Sequence, residues 1–356
     1  LLCLFSGAAL YEIALNWGFS ACSATLASGV YLALPHTFIF SHQLISESIH
    51  TPLIIISFWL MSRFWIQKRF FNLLLSAFTL GIATFVRPIT LLWAIVPAIT
   101  LLFRKRISSA FLYVLFAFIP VLLWMTFMFA QTGHFSMGES QRDLQHNLYQ
   151  RVWRISESMD VAKAEAVKND YLNQGEVGTI SPLHYLSFAT NYPVPFILHT
   201  VRDSLVFFAK SGIERATIDY FRVGNVERDT LQDSRGGWRH KLESEGWTAT
   251  ILYMIRTQGL TLLVSIIGAA FMVTLSSLAL VGAFRILLEW SQFEDTQKAM
   301  AIIFIGFPAY IWFFSQLVDA LQSRHRAPAE STMILLAIYG AMWLQAKREK
   351  AKNKSL

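Results

Sequence analysis

Charge is scarce in this chain. Asp, Glu, Lys and Arg together make up 15% of its 356 residues, against about a quarter in soluble domains. A single water-soluble core of this size is excluded, because too few polar side chains remain to cover it. Cysteine is nearly absent. Cys3 and Cys22 both lie in apolar stretches, which excludes a disulfide scaffold and reads as two structural thiols. The sequence has no HExxH spacing, no glycine-rich phosphate loop and no internal repeat, and its basic tail is its one biased tract.

Apolar surface is abundant instead. Hydrophobic residues reach 54%, with 29 Phe and 11 Trp, and the mean hydropathy is +0.44. This composition predicts an all-α polytopic membrane protein. The net charge of +7 raises nucleic acid as a partner, so its location matters. Residues 131–257 hold 14 Lys and Arg against 15 Asp and Glu, and the remainder holds 16 against 8. The excess therefore belongs to the membrane part, and nucleic-acid binding loses its support.

Apolar runs predict nine spans, at about 1–16, 20–35, 51–66, 70–86, 89–103, 108–130, 258–288, 299–318 and 329–345. The chain opens on Leu1 inside an apolar run, and the first span is expected to be cut short, with the natural start lost. Lys68, Arg69, Arg104, Lys105, Arg106, Lys298, Lys347, Arg348, Lys350, Lys352 and Lys354 flank one set of span ends, whereas the alternate set carries Arg87, Arg324 and Arg326. The positive-inside rule places the first set, and the C-terminus, in the cytoplasm. Three parts follow: an N-terminal bundle over 1–130, an extracytoplasmic segment over 131–257, and a C-terminal bundle with a basic tail over 258–356. Within the outer segment, 141–172 reads as polar helix. Residues 194–209 read either as a helix lying at the membrane interface or as a core helix of a small outer domain. All nine histidines fall in the outer segments, where most polar sequence lies.

Three outer stretches could carry chemistry. Glu47 is the one acid in 36–50 and stands at the mouth of an apolar helix. There it either complements the helix dipole or faces a polar cavity. Arg87 ends one span, and Pro88 opens the next, where its missing N–H costs little. Arg324 and Arg326 precede Pro328, and in an extended segment the two would converge on one anion. Each arginine could meet a lipid headgroup or a substrate phosphate.

Together, Pro35…Ser46-Glu47, Gly81-Ile82-Ala83…Val86-Arg87-Pro88, Asn191-Tyr192-Pro193 and Arg324-His325-Arg326-Ala327-Pro328 resemble a known class. Their order and common membrane face are similar to those of the polytopic GT-C glycosyltransferases that use polyprenyl-phosphate sugars. Bacterial relatives of protein mannosyltransferases and aminoarabinose transferases look closest. The resemblance implies an inverting sugar transfer at the extracytoplasmic face of a bacterial plasma membrane, with a glycan, lipid or protein acceptor. It implies Arg87, Arg324, Arg326 and His325 as lipid-phosphate ligands and Glu47 as a secondary acid or metal ligand. A divalent metal is compatible with it, and no other cofactor is implied. The family's catalytic base lies in an outer loop that would precede Leu1, so this stretch of chain is expected to insert but not to transfer sugar. Ser331 stands where the family often has a second proline. The alternatives are a transporter or flippase of lipid-linked sugars, which would call for an inverted repeat and broken helices, and an envelope glycan ligase or polymerase.

Overall fold

A computed structural model describes residues 1–35, 37, 46–133, 135, 140–172, 179–209, 246, 248–249, 263–317 and 323–354. Helix accounts for 91% of it, and no strand occurs among the described residues. Backbone hydrogen bonds are thus closed within each element, as a lipid environment demands.

Each of the nine apolar runs holds a helix among its described residues. They are α1 (Leu2–Asn16), α2 (Ala21–Ala33), α3 (Ser46–Gln67), α4 (Phe70–Val86), a 3₁₀ helix (Pro88–Ala94) continued by α5 (Ile95–Phe103), and α6 (Ile107–Thr132). Beyond residue 257 come α11 (Leu263–Leu288), α12 (Asp295–Leu317) and α13 (Ser323–Lys354). Residues 258–262 of the seventh run lie outside the described residues. Five helices, α3, α6, α11, α12 and α13, are long and apolar enough to cross a membrane, and the chain is an integral membrane protein. The four shorter ones run to 10–17 residues. At 1.5 Å per residue even 17 residues reach only about 26 Å, short of a core of about 30 Å. Length and composition alone therefore give five crossings, not nine.

Local chemistry sets the breaks. Lys68 and Lys105 take left-handed φ values of 56° and 57° in the tight turns after α3 and α5, and cations there complement the helix C-termini. Arg87 is extended, at φ −146° and ψ 114°, as the ring of a following proline requires. Inside the bundle Trp93 is fully buried, with ring centroids 4.9 Å from Phe307, 5.4 Å from Tyr310 and 6.2 Å from Phe58. Where α11 crosses α13, a Cβ at Gly282 would strike the Leu336 carbonyl oxygen, and one at Gly340 the Leu278 carbonyl oxygen. The two glycines permit backbone-to-backbone packing.

Residues 131–257 contribute α7 (Ser140–Ser156), α8 (Val161–Val167), a π turn (Lys168–Leu172), α9 (Pro182–Asn191) and α10 (Pro193–Ala209). Asp160 caps α8 by accepting from the Lys163 amide at 3.0 Å, and Ser181 caps α9, with Pro182 in its first turn. Leu148, Val152, Ile155, Val167, Leu172, Ile180, Tyr185 and Phe188 form a core of their own. Burial pushes the Tyr185 phenol up to about 12.

The chain divides into two compact units, Leu1–Phe208 with Leu275–Leu356, and Ala209–Thr274. The described part of the second is chiefly residues 263–274 of α11.

One expectation is corrected. The stretch around Pro328 is helix, not an extended segment, because α13 begins at Ser323 and runs through the proline. The Arg326–Glu330 pair, 3.1 Å apart at i and i+4, clamps the turn across it. At about 100° per residue, backbone positions 324 and 326 stand on different faces of the helix.

Candidate functional site

Two of the sequence-predicted residues meet. Arg87 Nη1 lies 2.7 Å from Glu47 Oε1, with the arginine side chain 17% exposed and the carboxylate 4%. Glu47 sits in the first turn of α3, and Ser46 Oγ donates to its Oε2 at 3.0 Å. The helix N-terminus favours the Glu47 carboxylate, and Arg87 balances its charge.

Glu330, which sequence reasoning did not single out, comes to the same place. Glu47 and Glu330 both line a cavity with Tyr31, Ser48, Thr51 and Pro52, and its volume of about 10 Å³ is near what one water needs. Glu330 is 1% exposed, Arg326 0%. Arg326 is bound to Glu330 at 3.1 Å and donates through Nη1 to the Phe207 carbonyl. Its guanidinium lies 5.8 Å from the Phe207 ring centroid. Each carboxylate at the cavity thus has its own arginine. Four ionisable groups inside an apolar bundle are costly unless paired in this way.

Behind Arg87 runs a smaller polar chain. Thr90 Oγ1 lies 3.1 Å from Thr84 Oγ1 and 3.5 Å from His50 Nε2. His50 is fully buried. It was readable only as one histidine among nine, since nothing in its sequence neighbourhood announces Thr90.

Arg324 and His325 lie in the first turn of α13, but their side chains are outside the described residues, as are residues 41–45 and His36, His42, His134 and His240. Among the described residues no three His, Cys, Asp or Glu side chains gather into a metal set. Glu47 and Glu330 share a cavity, but each already faces a guanidinium, a poor donor set for a divalent cation.

Comparison with protein-family models finds no match, and comparisons with curated proteins and with solved structures find none either.

Proposed function

We propose that the protein is a membrane glycosyltransferase that moves a sugar from a polyprenyl-phosphate donor to an acceptor at the extracytoplasmic face. The observation that carries this reading is Arg87. It stands partly exposed at the break between α4 and the 3₁₀ helix, held by Glu47 at a buried acidic cavity. A pre-proline arginine fixed by a carboxylate is pre-organised for a bidentate anion.

In this reading the acceptor hydroxyl attacks the anomeric carbon as the bond to the phosphate oxygen breaks. The electron pair leaves with the polyprenyl phosphate, and a carboxylate base takes the hydroxyl proton. Arg87 stabilises the charge growing on the departing phosphate. Arg324 and His325 are proposed as further phosphate ligands, from the first turn of a 32-residue helix, where the dipole favours an anion. Arg326, tied to Glu330, positions that turn. Glu47 serves as a secondary acid that holds Arg87.

Nine crossings, with the shorter helices accommodated by local thinning of the bilayer, put Arg87 and the start of α13 on one face. The eleven cations of the other set would then be cytoplasmic. The test is reconstitution in proteoliposomes with a labelled polyprenyl-phosphate sugar. Acceptor-dependent cleavage of the sugar–phosphate bond supports the reading. Passage of the intact donor across the bilayer would make the protein a transporter, and use of diphosphate-linked glycans alone would make it a ligase or polymerase.

A further inference from the structure

The helix α10 turns its polar residues inward. Beside the buried Phe207 ring, its inward face carries polar groups: Thr200 Oγ1 accepts from Arg151 Nη2 at 2.9 Å, Asp203 stands 3.9 Å from Arg151 Nη1, and Ser204 Oγ accepts from Trp312 Nε1 at 3.0 Å. Its outward face is the row Val194, Ile197, Leu198, Val201 and Leu205, each more than half exposed. These positions recur at the three- and four-residue spacing of a single helix face. A water-facing helix would show the opposite arrangement. Leu183 and Leu186 of α9 extend the apolar patch.

One charge interrupts the row. Arg202 is exposed and makes no hydrogen bond or ion pair with another described residue. Beside it lies a groove of about 360 Å³ lined by Ser158, Asp160, Lys163, Pro195, Leu198, His199 and Arg202. Asp160 pairs with Lys163 at 2.9 Å, and His199 Nε2 is 2.9 Å from Ser158 Oγ. The groove holds two cations against one carboxylate. Burial lowers the His199 pKa below its ordinary value, with Asp203 partly opposing, so the ring contributes hydrogen bonding more than charge at neutral pH.

We propose that this face is a seat for the bilayer surface, with the α10 row entering the acyl boundary and Lys163 and Arg202 holding the phosphate of an anionic phospholipid in the groove. The occupant follows from three features. The same compact unit carries span-length helices, so a bilayer is adjacent. The groove beside Leu198 sets Lys163 and Arg202 along the edge of the apolar row, as a headgroup layer lies along an acyl layer. Arg202, with an apolar stem and a cationic head within the row, is placed to snorkel to a headgroup. The inference is independent of sugar transfer.

The full chain is placed in nanodiscs of phosphatidylcholine alone or mixed with phosphatidylglycerol, with a photoreactive side chain at position 198. Cross-links to phospholipid are expected in both, with phosphatidylglycerol captured above its bulk fraction. Lys163→Gln and Arg202→Gln should each lower that enrichment by up to about fivefold, the worth of one cation near an anionic surface. Asp160→Asn, which still caps α8, should raise it. Excess inorganic phosphate should leave the cross-link in place. Four results would overturn the proposal: capture at the bulk fraction, no effect of either glutamine variant, cross-links to protein in place of lipid, or loss of the link to free phosphate.

Discussion

Removing Arg87 should hurt more than removing Glu47, although they form one pair. The reason is what each deletion leaves behind. Arg87→Ala takes the guanidinium from a carboxylate that is 4% exposed, whereas Glu47→Ala takes the carboxylate from a guanidinium that is 17% exposed and can draw in water. Breaking a buried pair by removing one partner costs about 3–5 kcal/mol. For Arg87→Ala the lower part of that range applies, about 3 kcal/mol, because the α3 N-terminus and Ser46 still support Glu47. For Glu47→Ala partial hydration reduces the loss to about 2 kcal/mol. The double variant should cost less than the sum of the two, with a coupling of about 2 kcal/mol. Glu47→Gln keeps volume and one acceptor, and should fall between the parent and Glu47→Ala. The assay is reversible denaturation in mixed micelles of the four proteins of the cycle. Additive losses, with a coupling under about 0.5 kcal/mol, would refute the pairing, and a larger loss for Glu47→Ala than for Arg87→Ala would refute the burial reasoning.

Three further outcomes are expected. Gly282→Ala and Gly340→Ala should each destabilise by about 1–3 kcal/mol, because the new Cβ meets a carbonyl oxygen of the neighbouring helix. Gly29→Ala, with open space around it, should be neutral or slightly stabilising in the same unfolding measurement. The Asp160 carboxyl is held below its ordinary 3.8, first by the Lys163 amide and then by the Lys163 side chain. A depressed carboxyl stabilises above its unfolded value and loses that contribution as pH falls through the folded one. The Lys163 amide resonance should therefore titrate with a midpoint below 3.8, and a midpoint at or above it would remove the cap from the account. With Cys3 and Cys22 replaced, single cysteines near 140 and near 350 should label from opposite sides of sealed vesicles, and labelling from one side would break the topology.

How much of this was legible depended on sequence distance. The helical class and the position of each apolar run could be read because composition and run length are local properties. Arg87 stood out because Pro88 follows it and fixes its backbone. Glu47 stood out as the one acid in 36–50, but the pairing of the two did not, since Glu47 lies 40 residues earlier on another helix and only packing joins them. Glu330 was hidden for a different reason. The sequence reads as an extended segment ahead of Pro328 and a span from about 329, which puts Arg326 and Glu330 in different elements, whereas α13 runs through the proline and makes them an i,i+4 pair. The amphipathic character of 194–209 was plain in the sequence. Which face turns inward was not, because Arg151, Trp312 and Arg326 select it from three other helices. The count of crossings stayed open as well, because helices of 10–17 residues carry the right composition at a marginal length.

The most direct test of the central claim is sugar transfer by the natural protein in proteoliposomes, measured beside its Arg87→Ala and Arg87→Lys variants. With a labelled polyprenyl-phosphate sugar, Arg87→Ala should insert normally and lose about 2–4 kcal/mol of transition-state stabilisation, roughly a 30- to 900-fold fall in turnover. Arg87→Lys should recover part of it, since a point charge replaces a two-pronged donor. Equal turnover in all three proteins would leave Arg87 a headgroup anchor, and no cleavage of the sugar–phosphate bond by the natural protein with any acceptor would contradict the glycosyltransferase reading itself.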